Sequence, residues 1–158
     1  MEDQKKNNWR CRCVRCREIR NDIYDPKDFE FTKTEYETTT GKEIFLSYEN
    51  EKDNKLAAFL RLRLPSGVDE GFYNGELEVL KGSALVRELH TYGQLKHIHE
   101  KGDQSQHVGL GRSLMNEAEI IARKAGYKKI AVISGVGVRE YYRKLGYKLE
   151  GSYMVKYL

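Results

Sequence analysis

The sequence predicts an α/β domain with a central mixed, mostly antiparallel sheet flanked by helices. Three observations predict this architecture. The first half of the chain contains short runs in which apolar and polar residues alternate, as in strands. A strongly amphipathic helix pattern begins after a glycine-spaced loop in the second half. The rest of the chain has the pattern strand, helix, strand, an order that packs helices onto the faces of a sheet.

The strands of the first half are bounded by polar turns. A turn at residues 51–54 connects two of them, which indicates an antiparallel meander. A polar loop at residues 93–106 follows the last strand of this half. The predicted strands are residues 30–39, 43–49, 56–64 and 83–92.

The second half is predicted from helical spacing and from glycine positions. Apolar residues that recur at intervals of three and four predict a helix with one buried face. Gly146 lies where a second helix would end, since glycine is favoured just after a helix. The pattern comprises a helix with Leu110, Leu114, Ala118, Ile121 and Ala125 on one face, a buried strand at 129–133, a turn at 134–137, a helix at 138–145, and one or two strands through Leu158.

The segment QHVGLGRS at residues 106–113 runs straight into the first of these helices. The first amides of a helix lack partners within it and lie at the positive end of its dipole, so they bind phosphate groups. A dinucleotide-binding loop would have a third glycine where Leu114 stands, and a P-loop would continue with Gly-Lys-Ser/Thr. Two interpretations remain: a phosphate loop of another kind, or a helix that happens to follow two glycines.

The spacing Gln106-x-x-Gly109-x-Gly111 resembles the pyrophosphate loop of the GCN5-related N-acetyltransferases, which hold coenzyme A. The segment YYRKLGY at 141–147 resembles the element that follows the fifth strand in that superfamily. The resemblance implies that the coenzyme lies on the loop and along an open strand edge at 88–91, which would pair with its pantetheine arm. The implied coenzyme-binding residues are Glu88, Leu89, His90, Thr91, Gly109, Leu110, Gly111, Arg112, Ser113 and Tyr141.

The same resemblance implies four candidates for catalysis. Tyr142 aligns with the residue that protonates the departing thiolate, a role that requires its hydroxyl within hydrogen-bond reach of the sulfur. Tyr141 is expected to contact the coenzyme, although either tyrosine could be the acid, and one of the adjacent pair is expected in the core. Glu88 and His90 are the nearest candidates for a base. A core histidine with a satisfied hydrogen bond is an equally good interpretation of His90.

Seven short sequence segments follow one another along the chain: LSYE at 46–49, LRLR at 60–63, VRELH at 86–90, GLG at 109–111, IAVISGVGVR at 130–139, YYRKLGY at 141–147 and YMVK at 153–156. Together they resemble the C-terminal acetyltransferase domain of the catalytic subunit of Elongator, the tRNA wobble-uridine carboxymethyltransferase family. The resemblance covers most of the chain from about residue 9, with poor matches at 21–43 and 66–82.

In that family a radical made from S-adenosylmethionine activates the acetyl methyl group, which joins the wobble uridine before the thioester is hydrolysed. The 4Fe–4S cluster for this chemistry lies in an N-terminal domain. The resemblance therefore implies an acetyltransferase domain at 23–158, preceded by a basic, cysteine-containing linker at 1–22. Such a fragment is expected to bind acetyl-CoA and, weakly, the anticodon region of tRNA. It is not expected to modify tRNA without the radical S-adenosylmethionine domain.

All three cysteines lie close together, at Cys11, Cys13 and Cys16. Tightly spaced cysteines of an intracellular protein are more often metal ligands than disulfides. Zinc favours thiolates and takes four ligands, so one is missing. An iron–sulfur cluster is the rival, but radical S-adenosylmethionine enzymes space their cysteines three-then-two rather than one-then-two. The resemblance to the Elongator family, in which these cysteines lie in the segment joining the two domains, implies a structural Zn²⁺. The candidates for the fourth ligand are water, another molecule, His90, His97, His99 and His107.

Composition predicts one globular domain with a polar surface. The chain has 158 residues, of which 33% are charged, and no apolar run is long enough to span a bilayer. The first residues lack the apolar segment of a secretory signal, so a cytoplasmic location and no membrane contact are expected. Much of the basic excess lies near the N-terminus, where a polyanion such as tRNA could bind. These cations are Lys5, Lys6, Arg10, Arg12, Arg15, Arg17 and Arg20.

Three functional classes remain open: an Elongator-like tRNA enzyme, a generic acetyltransferase for protein or small-molecule amines, and a zinc-stabilised RNA-binding module. The YYRKLG element at 141–146 argues against the RNA-binding module, which has no use for it. The fusion of a cysteine cluster and a basic segment to the domain argues against the generic acetyltransferase. The tRNA enzyme is the interpretation that uses all of these features.

Overall fold

The computed structural model describes residues 11–20, 22–66, 75–95 and 109–158. Nine strands and three helices form in this part of the chain. The strands are β1 (Ile23–Tyr24), β2 (Glu30–Thr38), β3 (Gly41–Asn50), β4 (Lys55–Pro65), β5 (Ser83–Thr91), β6 (Gln94–Leu95), β7 (Lys129–Val132), β8 (Lys148–Glu150) and β9 (Tyr153–Tyr157). The helices are α1 (Val14–Arg17), α2 (Leu110–Lys124) and α3 (Arg139–Lys144), with 3-10 turns at Pro26–Asp28, Gly75–Leu80 and Val136–Val138.

Seven of these strands form one mixed sheet in the order β2-β3-β4-β5-β7-β9-β8. Neighbouring strands are antiparallel except β5 and β7, which run parallel. The parallel pair requires a crossover, and α2 provides it by passing over one face of the sheet. The predicted mixed, mostly antiparallel fold and its four long strands are therefore confirmed, with strand ends that shift by one or two residues.

The main core lies between α2 and the face of the sheet that it covers. Leu114, Met115 and Ala118 of α2 are fully buried in one cluster with Leu60 and Val86 of the sheet. The predicted apolar face of the helix is thus confirmed, with one correction at its end. Ala125 is exposed because the helix stops at Lys124 and the chain turns away at Gly126, whose φ of 90° suits glycine.

The sheet opens where β5 and β7 part. The parallel pairing runs from Ser83 and Lys129 to Val86 and Val132, and no further. On the other side of β5 the register with β4 shifts, because Leu62 pairs with Val86 whereas Arg61 pairs with Glu88. Arg87 is therefore the extra residue of a β-bulge, which bends the strand. In the described part of the chain, no strand pairs with β5 beyond Val86 on the β7 side, so its edge is open.

The N-terminal segment packs onto the sheet, although the sequence suggested only a linker there. Arg17 and Ile19 are buried. Arg17 forms an ion pair with Glu49, and the Ile19 amide donates to the Leu56 carbonyl at 3.2 Å. The segment then pairs through β1 with β6, in parallel, to form a two-stranded ribbon beyond the end of β5. The division of the chain at residue 22 stays a prediction, since residues on both sides of it contact the same sheet.

None of the described helices is long and apolar enough to cross a membrane. The polar loop predicted at 93–106 is described only up to residue 95, where β6 replaces part of it. Gln106, His107 and Val108 of the predicted phosphate loop lie outside the described residues, as do His97 and His99.

Candidate functional site

A cavity of about 1060 Å³ lies at the opening of the sheet. Its sides are the open half of β5, the N-terminal end of α2 and one face of α3. Its volume is at the upper end of the range for sites that bind cofactor-sized ligands. The residues that line it are Ile23, Tyr24, Leu89, Thr91, Tyr92, Gly93, Gly109, Leu110, Gly111, Arg112, Val138, Tyr141, Tyr142, Lys144 and Leu145.

The N-terminal end of α2 supplies the amide groups of the site. The amides of Arg112 and Ser113 already donate to the Gly109 carbonyl, at 2.8 and 3.2 Å. Those of Leu110 and Gly111 have no acceptor among the described residues, so they are the donors left for an anion. The exposed Arg112 side chain adds a positive charge beside them. The arrangement suits a phosphate group better than a neutral ligand.

Gly111 lies so close to its neighbours that a side chain there would require them to move by a few tenths of an ångström. A Cβ atom at Gly111 would lie 3.0 Å from the Tyr141 hydroxyl and 3.2 Å from the Thr91 methyl group. These contacts bring α2, α3 and β5 together at one point of the cavity. A Cβ atom at Gly109 would meet no described residue within 4 Å, so on the side of the described residues the space beside Gly109 is open to a ligand.

The two adjacent tyrosines of α3 occupy different environments, as the helical spacing predicts. Tyr142 is only 5% exposed and packs edge-on against Tyr147 in the core, whereas Tyr141 is 37% exposed. Both line the cavity. Burial raises the pKa of Tyr142 to about 12 and raises that of Tyr141 less, because Arg112 opposes the shift. Each hydroxyl is therefore protonated near neutral pH and able to donate a hydrogen bond.

The structure separates the candidate residues of β5 into two groups. Leu89 and Thr91 point into the cavity. Glu88 and His90 belong to the opposite face, because side chains alternate along a strand. There Glu88 pairs with Arg61 at 3.3 Å, and the His90 ring stacks on Phe59. The structure therefore does not bring the side chains of Glu88 and His90 to the tyrosines; only their backbone lies at the open edge.

The Ser113 side chain faces the sheet, and its place as a coenzyme-binding residue stays a prediction. Its hydroxyl hydrogen-bonds to the Tyr48 hydroxyl at 2.7 Å, on the side of α2 that faces the sheet. It is not among the residues that line the cavity. Ser113 therefore holds the first turn of α2 on β3 and positions the amides of the site.

Sequence reasoning missed two groups of cavity residues. Val138 and Leu145 could have been found, since they recur with Tyr141 and Tyr142 at helical spacing on one face of α3. Ile23, Tyr24, Tyr92 and Gly93 carry no local signal, because only the folding of the N-terminal segment onto β5 brings them to the cavity. Lys144 is the second cation of the lining, beside Arg112.

The three cysteines converge at one end of the N-terminal segment. The sulfur atoms of Cys11, Cys13 and Cys16 lie within 4.8 Å of one another. Thiolates that share a tetrahedral Zn²⁺ lie about 3.8 Å apart, so a small adjustment would fit the ion. Hydrogen bonds from the Cys16 backbone and from Cys11 lower the pKa of Cys13, whereas Cys13 and Cys11 raise the pKa of Cys16 to about 11. A second thiolate in the group is thus disfavoured without a cation.

A mixed sheet that parts at β5 and β7, with the N-terminal end of α2 and the tyrosine-bearing α3 at the opening, is the fold class that the sequence predicted. No family model matches the chain. The chain is 46% identical over 98% of its length to the tRNA uridine(34) acetyltransferase of Methanocaldococcus infernus, and 46% identical over 94% to Elongator complex protein 3 of Homo sapiens. It belongs to the Elongator complex protein 3 family.

A solved structure of the same family matches this chain. The archaeal Methanocaldococcus infernus Elp3 with an N-terminal deletion matches with a TM-score of 0.72 and 41% identity, over 99% of this chain and 38% of that one. The chain spans 29% of the archaeal curated relative and 27% of the human one. It thus corresponds to one part of longer proteins.

Proposed function

We propose that this chain is the acetyl-CoA-binding part of a tRNA-modifying enzyme that makes 5-carboxymethyluridine at the wobble position. One observation carries the proposal: a single cavity combines free amides and cations at the start of α2, an open edge on β5 and the two tyrosines of α3. Each feature matches one part of acetyl-CoA. The named activity of the curated relatives supplies the substrate, tRNA.

The coenzyme fits the cavity in one direction. Its pyrophosphate binds the amides of Leu110 and Gly111, with Arg112 and Lys144 to balance its charge. Its pantetheine amides pair with the open edge of β5, in the manner of an added strand. The thioester then reaches the apex of the opening, where β5 and β7 part.

Tyr142 is the proposed general acid. When water attacks the acetyl carbonyl, the carbon–sulfur bond breaks and the thiolate takes a proton from the Tyr142 hydroxyl. One proton of the attacking water then restores the Tyr142 hydroxyl and the other passes to solvent, so the products are acetate and coenzyme A. Burial raises the pKa of Tyr142 to about 12, so the hydroxyl carries its proton at neutral pH and can serve as the donor. Tyr142→Phe is expected to slow turnover and leave acetyl-CoA affinity nearly unchanged.

Paired glycine substitutions test the loop assignment. Gly111→Ala forces a side chain against Tyr141 and Thr91, and Gly109→Glu adds a negative charge beside the pyrophosphate. Both should weaken acetyl-CoA binding at least tenfold in calorimetry. Gly135→Ala and Gly135→Glu are matched controls, because Gly135 has an ordinary φ of −63° and a Cβ atom there would meet nothing within 4 Å. If both loop variants bind acetyl-CoA as tightly as the unchanged chain, the assignment of this loop to the pyrophosphate is wrong.

A second assay tests the substrate class. Acetyl-CoA hydrolysis is measured with tRNA, with a basic histone-like peptide, or with neither. Stimulation by tRNA alone supports the tRNA enzyme, and acetylation of the peptide supports a generic N-acetyltransferase instead. Nucleoside analysis of the tRNA completes the assay. We propose that the modification also needs a radical S-adenosylmethionine domain with a 4Fe–4S cluster, elsewhere in a longer, cytoplasmic protein. Carboxymethyluridine formed by this chain alone would contradict that proposal.

The cysteine cluster is proposed to hold one Zn²⁺ with a structural role. Cys11, Cys13 and Cys16 would supply three thiolates, and the ion would remove the mutual repulsion between them. The segment that carries it is anchored to β4, and the three cysteines are not among the residues that line the cavity, which supports a structural rather than a catalytic role.

A further inference from the structure

The β1–β6 ribbon closes one end of the cavity, although none of the sequence patterns pointed to it. Ile23 and Tyr24 of β1 line the cavity together with Tyr92 and Gly93, which follow the open half of β5. Ile23 is 69% exposed, an unusual position for an isoleucine on a short, ordered strand. The Tyr24 ring is held edge-on against Phe29, with centroids 5.1 Å apart. Ile23 and Tyr24 thus present apolar surface to the cavity, where it is available to a ligand.

The ribbon is held firmly against β5 by a close contact at Gly93. The Gly93 amide donates to the Arg20 carbonyl at 2.6 Å. A Cβ atom at Gly93 would lie 2.7 Å from both the Asp22 carbonyl and the Ile19 side chain, and the φ of 71° also favours glycine. The position of Ile23 and Tyr24 is therefore set by the fold, and does not depend on a ligand.

The direction of the cavity decides which part of a ligand reaches the ribbon. The open edge of β5 starts at Val86, at the apex of the opening, and ends at Thr91, which contacts Gly111 at the start of α2. The ribbon lies beyond that point, on the far side of the α2 amides from the apex. A ligand with its thioester at the apex and its pyrophosphate on the amides must extend its adenosine toward the ribbon.

We propose that the β1–β6 ribbon is the adenosine-binding surface of the site, with Ile23 and Tyr24 packed against the adenine ring. The inference rests on the proposed acetyl-CoA function and extends it to the N-terminal segment. Adenine is a flat, largely apolar group, and aromatic or aliphatic side chains stack on it favourably. Arg112 and Lys144 line the same cavity and offer positive charge for the phosphates of the same ligand.

The test compares two ligands that differ only in the nucleotide. Calorimetry measures binding of acetyl-CoA and of acetyl-4′-phosphopantetheine to the 158-residue chain and to Ile23→Asp and Tyr24→Ala. Acetyl-4′-phosphopantetheine lacks the 3′-phosphoadenosine and one phosphate of the pyrophosphate. Both variants should bind acetyl-CoA at least tenfold more weakly and acetyl-4′-phosphopantetheine within twofold of the unchanged chain. Tyr24→Phe should retain full affinity, because the ring and not the hydroxyl makes the contact.

Ile120→Asp and Tyr157→Ala are the matched controls, since both side chains are exposed and lie outside the cavity. Thermal unfolding confirms that each variant folds. Unchanged acetyl-CoA affinity in Ile23→Asp and Tyr24→Ala would overturn the inference, and so would an equal loss for both ligands. If the unchanged chain binds neither ligand, the proposed function itself fails, a result distinct from failure of the ribbon alone.

Discussion

Two tyrosine hydroxyls in the core make the stability of the molecule sensitive to alkaline pH. Burial raises the pKa of Tyr142 to about 12, and burial together with Glu119 raises that of Tyr147. In the unfolded chain both ionise near pH 10. Above that pH the unfolded chain binds fewer protons than the folded one, so the free energy of unfolding decreases as pH rises.

The expected decrease is about 1.4 kcal/mol per pH unit for each tyrosine between pH 10 and 12. Urea unfolding at a series of pH values measures it. Tyr142→Phe should make the fall in the free energy of unfolding less steep by about 1.4 kcal/mol per pH unit, the contribution of one proton. Tyr157→Phe, at an exposed site, should not change the slope. Equal slopes for the Tyr142→Phe variant and the unchanged chain would show that Tyr142 ionises freely in the folded state.

The buried carboxylate of Glu119 joins three parts of the fold: α2, the segment between α3 and β8, and β9. Glu119 accepts a hydrogen bond from the Tyr147 hydroxyl at 2.9 Å and one from the Lys156 ammonium at 2.7 Å. Glu119→Leu would leave both donors without this acceptor in a mostly buried place, which should cost about 2–3 kcal/mol. Denaturant unfolding measures the loss.

Glu140 provides the control for that substitution. It pairs with Arg143 on the exposed side of α3, where an ion pair contributes little. Glu140→Leu should change the free energy of unfolding by less than about 0.5 kcal/mol. Similar losses for the two variants would mean that the Glu119 contacts add nothing beyond a surface charge.

The N-terminal segment is attached at two separate places, so loss of the cysteine site should act locally. Cys13→Ser or Cys16→Ser should remove one equivalent of zinc per chain, measured by metal analysis. Hydrogen exchange should increase at residues 11–16. Acetyl-CoA affinity should stay within about threefold, because the ion pair of Arg17 with Glu49 and the bonds of Ile19 and Gly93 still hold the ribbon.

Two results would contradict this prediction. Purified protein without zinc, or with iron and a visible chromophore, would reject the metal assignment. A large loss of acetyl-CoA affinity in either serine variant would show that the metal site, and not the sheet contacts, positions the ribbon.

The whole molecule offers tRNA fewer cations than the sequence suggested. Of the basic residues described in the N-terminal segment, Arg12, Arg15 and Arg20 are exposed, whereas Arg17 is buried against Glu49. Each phosphate contact contributes roughly −0.7 to −0.9 to the slope of log K against log salt. We expect weak tRNA binding with a slope of about −2 to −3 for three contacts.

Filter binding at several salt concentrations measures this slope. Replacing Arg12, Arg15 and Arg20 by glutamine should make the slope shallower by about 2 to 3. Replacing Arg123 and Lys124, two exposed cations at the far end of α2, should leave it unchanged. Equal effects from the two sets would mean that tRNA binds through the general charge of the domain.

The sequence alone predicted the four long strands and α2 and led to the proposed ligand class, because these depend on local signals. Periods of two and about 3.6 residues marked the strands and α2, and their burial follows directly from the side chains on each face. Two glycines before α2 and the tyrosine pair in α3 pointed to the cofactor. Cys11, Cys13 and Cys16 came together because they are already neighbours along the chain.

Only the tertiary structure decided which candidate side chains meet. The bulge at Arg87 and the alternation of β5 send Glu88 and His90 to one face and Leu89 and Thr91 to the other. Ser113 turns toward Tyr48, and Arg17 toward Glu49. The N-terminal segment reaches the cavity because Gly93 permits a close approach that no local pattern encodes. These placements depend on contacts between residues distant in sequence, and such contacts exist only once the sheet has formed.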